Sequence, residues 1–482
     1  MNREVIGAAC ATALAAGLLG LAGAPASAAG PEQNYLVVGP QSGGTASAQA
    51  HVKAAGGTVV AAYDQIGVVV ATSTAPDFAS RVGGGLQVAS TEGLGTPLDD
   101  EETTAVDPAA LTPGDPTAEP LWGLQWDMTQ IDVDDAHAVT TGDSSIVVGV
   151  LDSGISPTHP DLASQIAADQ SASCLGGVVD TSVAAWSPTT SDHGTHVAGT
   201  IAAAINGVGM AGVAPGVKVA SVKVVNDDGF IYPEAAICGF LWAADHGMPI
   251  TNNSYFIDPW EFNCVNDPRQ RPVWLAVQRA IAYSTAKGTL TIASAGNSNV
   301  DLAHTFTDSH SPNDGSYPVE DRTITGACRD LPAEAPGVMT VSAVGPAELK
   351  SYYSSYGIGV VDVAAPGGDS RWRNPAVSNP ADAILSTTYN AATGVNGWGY
   401  KQGTSMASPH AAGVAALALS ANPGLSAGQL SALVESQATP LPCPEGVYDP
   451  RPGLPQYQAE CQGGARNGFY GAGNVDALAV VD

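Results

Sequence analysis

The segment Gly403-Thr404-Ser405-Met406-Ala407-Ser408-Pro409-His410 puts a hydroxyl at the head of a small-residue run, Ala411 to Leu419, that reads as a buried helix. A side chain at a helix N-terminus faces unpaired backbone N–H groups and the positive end of the helix dipole. Those surroundings let an oxygen attack a carbonyl and stabilise the oxyanion that results. Alone, such a serine is an ordinary helix cap. Two other segments change that reading. Ile146 to Leu151 is an unbroken apolar run ended by Asp152-Ser153-Gly154. It predicts a buried parallel strand with a carboxylate at its carboxyl end, where open α/β sheets gather their functional groups. Asp192-His193-Gly194-Thr195-His196 starts a second small-residue helix with a histidine. Serine is a poor nucleophile near neutral pH. A histidine that takes its proton, held in one tautomer by a buried aspartate, makes it a good one.

In the chain order Asp152, His193, Ser405, these motifs resemble those of the subtilisin-like serine proteases, the subtilases. Chymotrypsins and α/β-hydrolases carry the same three residue types in other orders. The resemblance covers roughly residues 120 to 482 and implies an endopeptidase acting on polypeptides. It assigns Asp152 to orienting, His193 to proton transfer and Ser405 to attack. Thr289 to Gly296 reads as a strand ending in Gly296-Asn297, which alone would be a plain turn. The resemblance makes Asn297 an oxyanion donor beside the Ser405 N–H. It also implies that an extended peptide is added to backbone strands flanking the cleft, here Ser254-Tyr255-Phe256 and Ser294-Ala295-Gly296. Tyr255 and Phe256 stand where the family has leucine and glycine, so its side-chain specificity does not carry over. Asp161 with Asn206, Val208 and Met210 resembles a calcium site of some subtilisins. The implied chemistry requires no cofactor, and a structural calcium is the one ion the resemblance offers.

Other readings of the same residues are weaker. His193 and His196 lie three apart without the intervening glutamate of the zinc-protease pattern, so His196 reads as a packed structural histidine. His159 and His410 fall inside family motifs without a proton-transfer role. The triad would serve a peptide ligase or acyltransferase equally well. An inert binding protein could keep the fold and lose the chemistry.

Of 482 residues, 44% are hydrophobic and only 13% charged, and the length allows two or three folding units. A net charge of -29 excludes a nucleic-acid binder and disfavours docking on anionic lipid. Arg3, the apolar stretch Val5 to Gly23 and the small-residue site Ala26-Ser27-Ala28 read as an export signal, residues 1–28. The chain ends at Val480-Val481-Asp482 without an apolar anchor, so a secreted, extracellular monomer without membrane contact is expected. Removing Cys10 with the signal leaves six cysteines, which allow 15 pairings. Cys443 and Cys461 bracket a Pro/Gly-rich loop and are expected to pair. Cys264 and Cys328 follow the strands carrying Ser254 and Asn297 and are expected to meet beside the cleft. Cys174 with Cys238 follows by elimination. The sequence lacks a C-x-x-C pair, which argues against zinc.

The elements predict an α/β fold, a parallel sheet with helices on both faces, preceded by a small α+β domain. In residues 34–95 the order is strand, helix, strand, strand, helix, strand. By position this resembles the inhibitory propeptide of the family, a partner of the enzyme within its own chain. Residues 96–120 hold many acids and no basic residue, and read as an exposed flexible linker where self-cleavage would fall. Residues 121–482 form the expected catalytic domain. Its helices are predicted at Asp132 to Val139, from Pro233 to Gly247, at Val273 to Ala286 and at Ser405 to Ser420. Further strands are predicted at Val219 to Val225, Val338 to Val344 and Val360 to Ala364.

Overall fold

A seven-stranded sheet organises the molecule. In the computed structural model its order is Val363–Pro366, Val338–Val344, Leu290–Ser294, Ile250–Asn253, Val147–Asp152, Lys218–Lys223, Ala172–Ser173. Every pairing is parallel. The structure describes residues 30–91, 104–106, 119–315, 317–371 and 377–482. The expected signal, 1–28, and most of the acidic stretch lie outside the described residues.

The apolar run at Val147–Asp152 explains why helices cover both faces. Val148 and Val150 pack with Val197, Ala198, Met406 and Val414, from helices His193–Ala202 and Thr404–Ala421. Val147 and Leu151 point the other way, onto Ile237, Phe240 and Val277 of helices Pro233–Asp245 and Arg271–Ala286. Alternation along one strand thus serves two cores. Helix Thr404–Ala421 is buried on nearly every side, which its alanines and glycine permit. A Cβ on Gly413 would lie 2.5 Å from Cβ of Val213. Because the strands are parallel, Asp152, Asn253 and Ser294 end on the same edge of the sheet.

The N-terminal unit is a four-stranded antiparallel sheet in the order Thr58–Tyr63, Val68–Ser73, Gln33–Val38, Gln87–Ser90. Tyr35 and Val37 face its own helices, Ala46–Ala54 and Phe78–Val82. Leu36, Val38 and Val70 bury against helices Pro233–Asp245 and Arg271–Ala286 of the main unit. Arg279 donates to the carbonyls of Gly39 (2.8 Å) and Ile66 (3.0 Å), and Tyr63 Oη donates to Gly177 O (2.7 Å).

The acidic stretch is not free throughout. Thr104–Val106 forms a strand against Val395–Lys401, with Trp398 opposite Val106. That strand belongs to a hairpin with Ile384–Asn390 that the sequence reading missed. Glu119, counted in the linker, is buried. Helix Ala427–Gln437 was also missed, although its capping box, Ser426 with Gln429, is a sequence signal. Disulfides join Cys174 to Cys238, Cys264 to Cys328 and Cys443 to Cys461. Among the described residues no helix is long and apolar enough to cross a membrane.

Candidate active site

Asp152 ends its strand fully buried, and His193 begins the neighbouring helix. His193 Nδ1 lies 2.9 Å from Oδ1 and 3.0 Å from Oδ2 of Asp152. A carboxylate only accepts, so Nδ1 carries the proton, and a neutral ring then offers Nε2 as the acceptor. A mesh of short bonds fixes this pair. Ser153 N–H donates to Asp152 Oδ1 (2.7 Å), Gly194 N–H donates to Ser153 Oγ (2.9 Å), and Ser153 Oγ donates to Ser191 O (3.2 Å). His193 N–H donates to Ser191 Oγ (3.1 Å). Gly194 is required by close approach, since a Cβ there would sit 2.6 Å from Gly154 O and 3.0 Å from Asp152 Oδ1.

Asp192, one residue before the histidine, is anchored from the hairpin. Its Oδ1 pairs with Lys401 Nζ at 3.0 Å, and Oδ2 accepts from Tyr389 N–H at 3.1 Å. Lys401 is almost wholly buried, so removing either partner would strand a charge, at a cost of about 3–5 kcal/mol. No local motif announced this pair.

Ser405 occupies the first turn of helix Thr404–Ala421. Pro409 has no N–H to give to the Ser405 carbonyl. The Ser254 hydroxyl supplies the bond instead, at 3.0 Å, and also meets Ser408 Oγ at 2.7 Å. Ser405 Oγ lies 3.4 Å from Ser254 O. Asn297 Oδ1 accepts from Thr404 N–H (2.9 Å) and Thr404 Oγ1 (2.8 Å). With its oxygen held there, the amide nitrogen is the Asn297 group left for a ligand.

Asp152, His193, Asn297 and Ser405 line a single cleft of about 1160 Å³. Ser254, Tyr255, Phe256, Ser294 and Gly296 line it too. Ala295 does not, because it is buried and its N–H is spent on Val341 O at 2.9 Å. The Gly296 carbonyl accepts from Ser355 N–H. Tyr255 Oη donates to Asn253 Oδ1 (3.0 Å), and burial, with the Asp152 charge adding, pushes its phenol well above the usual range. Tyr255 is therefore a neutral wall of the cleft.

His196, His159 and His410 are structural. His196 is buried on Gly399 O, and burial holds its ring well below the ordinary histidine range, with Lys401 and His193 adding to the effect. Burial takes His159, bonded to Gly397 O at 2.8 Å, down to about 4. His410 Nε2 meets Asp127 Oδ2 at 2.9 Å with both side chains fully buried.

At the expected calcium site, loop residues 206–210 wrap Asp161. Its Oδ2 accepts from Trp398 Nε1 (2.7 Å) and Met210 N–H (3.2 Å), and Asn206 Nδ2 donates to Oδ1 (3.4 Å). Val208 N–H turns to Asn206 Oδ1 (2.9 Å). Val208 and Met210 thus meet the site through amide N–H groups. Glu119 joins the cluster unforeseen. Its Oε1 accepts from Asn206 and Gly207 N–H, while Oε2 is buried without a partner. Burial, with the Glu119 charge adding, raises Asp161 to about 6. Two buried carboxylates and an orphaned oxygen fit a bound cation.

The sequence profile of the subtilase family matches residues 143–473, and the chain belongs to that family. Subtilisin DY of Bacillus licheniformis is 32% identical over 300 residues, 62% of this chain and 85% of subtilisin DY. Fervidolysin of Fervidobacterium pennivorans is 29% identical over 372 residues, 73% of this chain. This chain spans only 45% of fervidolysin's length. The fold is shared with the epidermin leader peptide processing serine protease of Staphylococcus aureus, at TM-score 0.67 and 20% identity over 93% of this chain and 98% of that one. The crystal structure of fervidolysin gives TM-score 0.62 at 23% identity, over 95% of this chain and 62% of that one.

Proposed function

We propose that the chain is a secreted serine endopeptidase, made as a proenzyme that processes itself. The observation that carries this reading is the Asp152–His193 bond in one cleft with Ser405. Ser405 Oγ attacks the peptide carbonyl carbon and yields its proton to His193 Nε2. Asp152 fixes the tautomer and stabilises the imidazolium. The oxyanion is received by Asn297 Nδ2 and the Ser405 N–H at the helix head. The C–N bond then breaks, and the departing amine takes the proton from Nε2. Water, deprotonated by the same nitrogen, opens the acyl-enzyme and restores Ser405. Every group in this sequence comes from the chain, so the chemistry needs no cofactor.

The N-terminal unit acts as an inhibitory propeptide in this reading, held by the helices carrying Ile237 and Arg279. The three disulfides support an extracellular site of action. Asp161 and Glu119, with Asn206, would hold a structural calcium that neutralises two buried carboxylates. The test is expression of wild type and Ser405→Ala in a protease-free host. Wild type should lose the N-terminal unit, with a new N-terminus before Leu121, and degrade denatured casein. The alanine variant should stay full length. A processed Ser405→Ala protein would refute self-cleavage.

A further inference from the structure

The described residues lining the cleft include six acids and neither lysine nor arginine. Four of the six have partners. Asp152 is held by His193, Asp227 meets Lys223, and Asp258 accepts from Ile231 N–H and Asn313 Nδ2. Glu261 Oε1 accepts from Ser298 Oγ at 2.8 Å. Asp330 differs. It is 2% exposed, and its Oδ1 is buried with no hydrogen-bond partner. A buried carboxylate oxygen left unpaired is costly and calls for an explanation, and Asp330 is also one of the residues that line the cleft.

Asp330 is placed by the antiparallel pair Phe262–Cys264 and Cys328–Asp330, closed by the Cys264–Cys328 disulfide. Register sets Asp330 opposite Phe262, so Glu261 and Asp330 share one end of this ribbon. Both carboxylates abut the residues flanking Asn297. A Cβ on Gly296 would lie 3.5 Å from Asp330 Oδ2, and Glu261 holds Ser298. Glu261, Asp330, Asn297 and Ser405 all line the same cleft, so a peptide held with its carbonyl oxygen at Asn297 lies alongside both carboxyl groups.

Nearby cations are engaged elsewhere. Arg329 leans to Glu334 (3.8 Å), Arg269 pairs with Asp267 (2.7 Å), and Arg322 pairs with Asp308 and donates to Phe262 O (3.2 Å). Burial, with Glu261 and Glu334 adding, lifts the Asp330 carboxyl well above the usual range. A cation arriving beside it would favour the ionised form.

We propose that Asp330, seconded by Glu261, selects a lysine or arginine side chain on the residue whose carbonyl Ser405 attacks. This rests on the endopeptidase reading and names its substrate class. A metal ion fits less well. Glu261, Asp308 and His310 bring ligand atoms within 4.8 Å of one another. Asp308, however, already binds Arg322 and the N–H groups of His310 (2.9 Å) and Ser311 (3.2 Å).

The test uses processed enzyme and peptidyl-coumarin amides that differ only in the last residue: Arg, Lys, Phe, Leu or Glu. Arg and Lys should exceed Phe in kcat/KM by on the order of 10²-fold, because the pocket's polar group is satisfied by them alone. Asp330→Asn should cut the Arg-to-Phe ratio by a similar factor, and Glu261→Gln by about tenfold. Preference for Phe or Leu in wild type would overturn the proposal, as would an unchanged ratio in Asp330→Asn that still labels with a neutral serine-reactive phosphonate. If that variant does not fold, benzamidine decides. Inhibition of wild type by benzamidine and not by benzamide supports the proposal, and equal inhibition by both overturns it. Absence of both cleavage and phosphonate labelling would sink the endopeptidase reading itself.

Discussion

Asn297 and Thr404, 107 residues apart, are joined by two hydrogen bonds into one Asn297 oxygen, from the Thr404 N–H and from its hydroxyl. Thr404 immediately precedes Ser405, so the amide is indexed to the nucleophile. Asn297→Ala should lower kcat by on the order of 10²–10³-fold with little change in KM, a range established on subtilisin, a member of the same family. Thr404→Val removes only the hydroxyl bond and should lower kcat about tenfold. Steady-state kinetics on one peptide amide decide. Loss in KM alone would mean that Asn297 binds substrate without meeting the transition state.

Gly194 lets the histidine helix lie against Asp152. A methyl group at this position collides with Gly154 O and with the Asp152 side chain. Gly194→Ala should destabilise by about 1–3 kcal/mol, as overpacking does, and lower both kcat and Tm. Denaturant unfolding together with kinetics measures both. Wild-type values in both would show that the helix has room to shift.

Lys350 gives a pH signature. It is fully buried, Nζ donates to Asn299 Oδ1 at 2.6 Å, and burial lowers its ammonium to about 7. The folded state therefore binds fewer protons than the unfolded state between about 7 and the ordinary lysine range. Stability attributable to this residue rises with pH across that window. The stability difference between wild type and Lys350→Met should move in favour of wild type from pH 7 to 10, by on the order of a few kcal/mol. A pH-independent difference would mean that Lys350 titrates normally.

Chelation probes the Asp161–Glu119 cluster. Removing calcium with a chelator should lower Tm, and Glu119→Gln, which takes away one of two facing carboxylates, should shrink that shift. A chelator-insensitive Tm in wild type would remove calcium from the account.

The sequence exposed the parts of this site that rest on local pattern. Asp152 ends an apolar run, His193 and Ser405 head small-residue helices, and those patterns follow from burial on both sheet faces. The hairpin strand Val395–Lys401 gave no comparable signal. It is rich in glycine and aromatic residues, and its main role, anchoring Asp192 through Lys401, spans 209 residues of chain. Asp330 was equally hidden. Its meaning comes from a three-residue strand pair that a disulfide closes beside Gly296, and an isolated Cys-Arg-Asp carries no motif. Glu119 was read as linker because composition is local, while its burial depends on the loop after residue 205.

Labelling with a serine-reactive phosphonate, followed by peptide mass spectrometry, decides whether Ser405 is the activated nucleophile. One adduct is expected, on Ser405, which His193→Ala slows by several orders of magnitude and unfolding abolishes. An adduct at another residue of an active preparation, or labelling of Ser405 at the same rate without His193, would contradict that assignment.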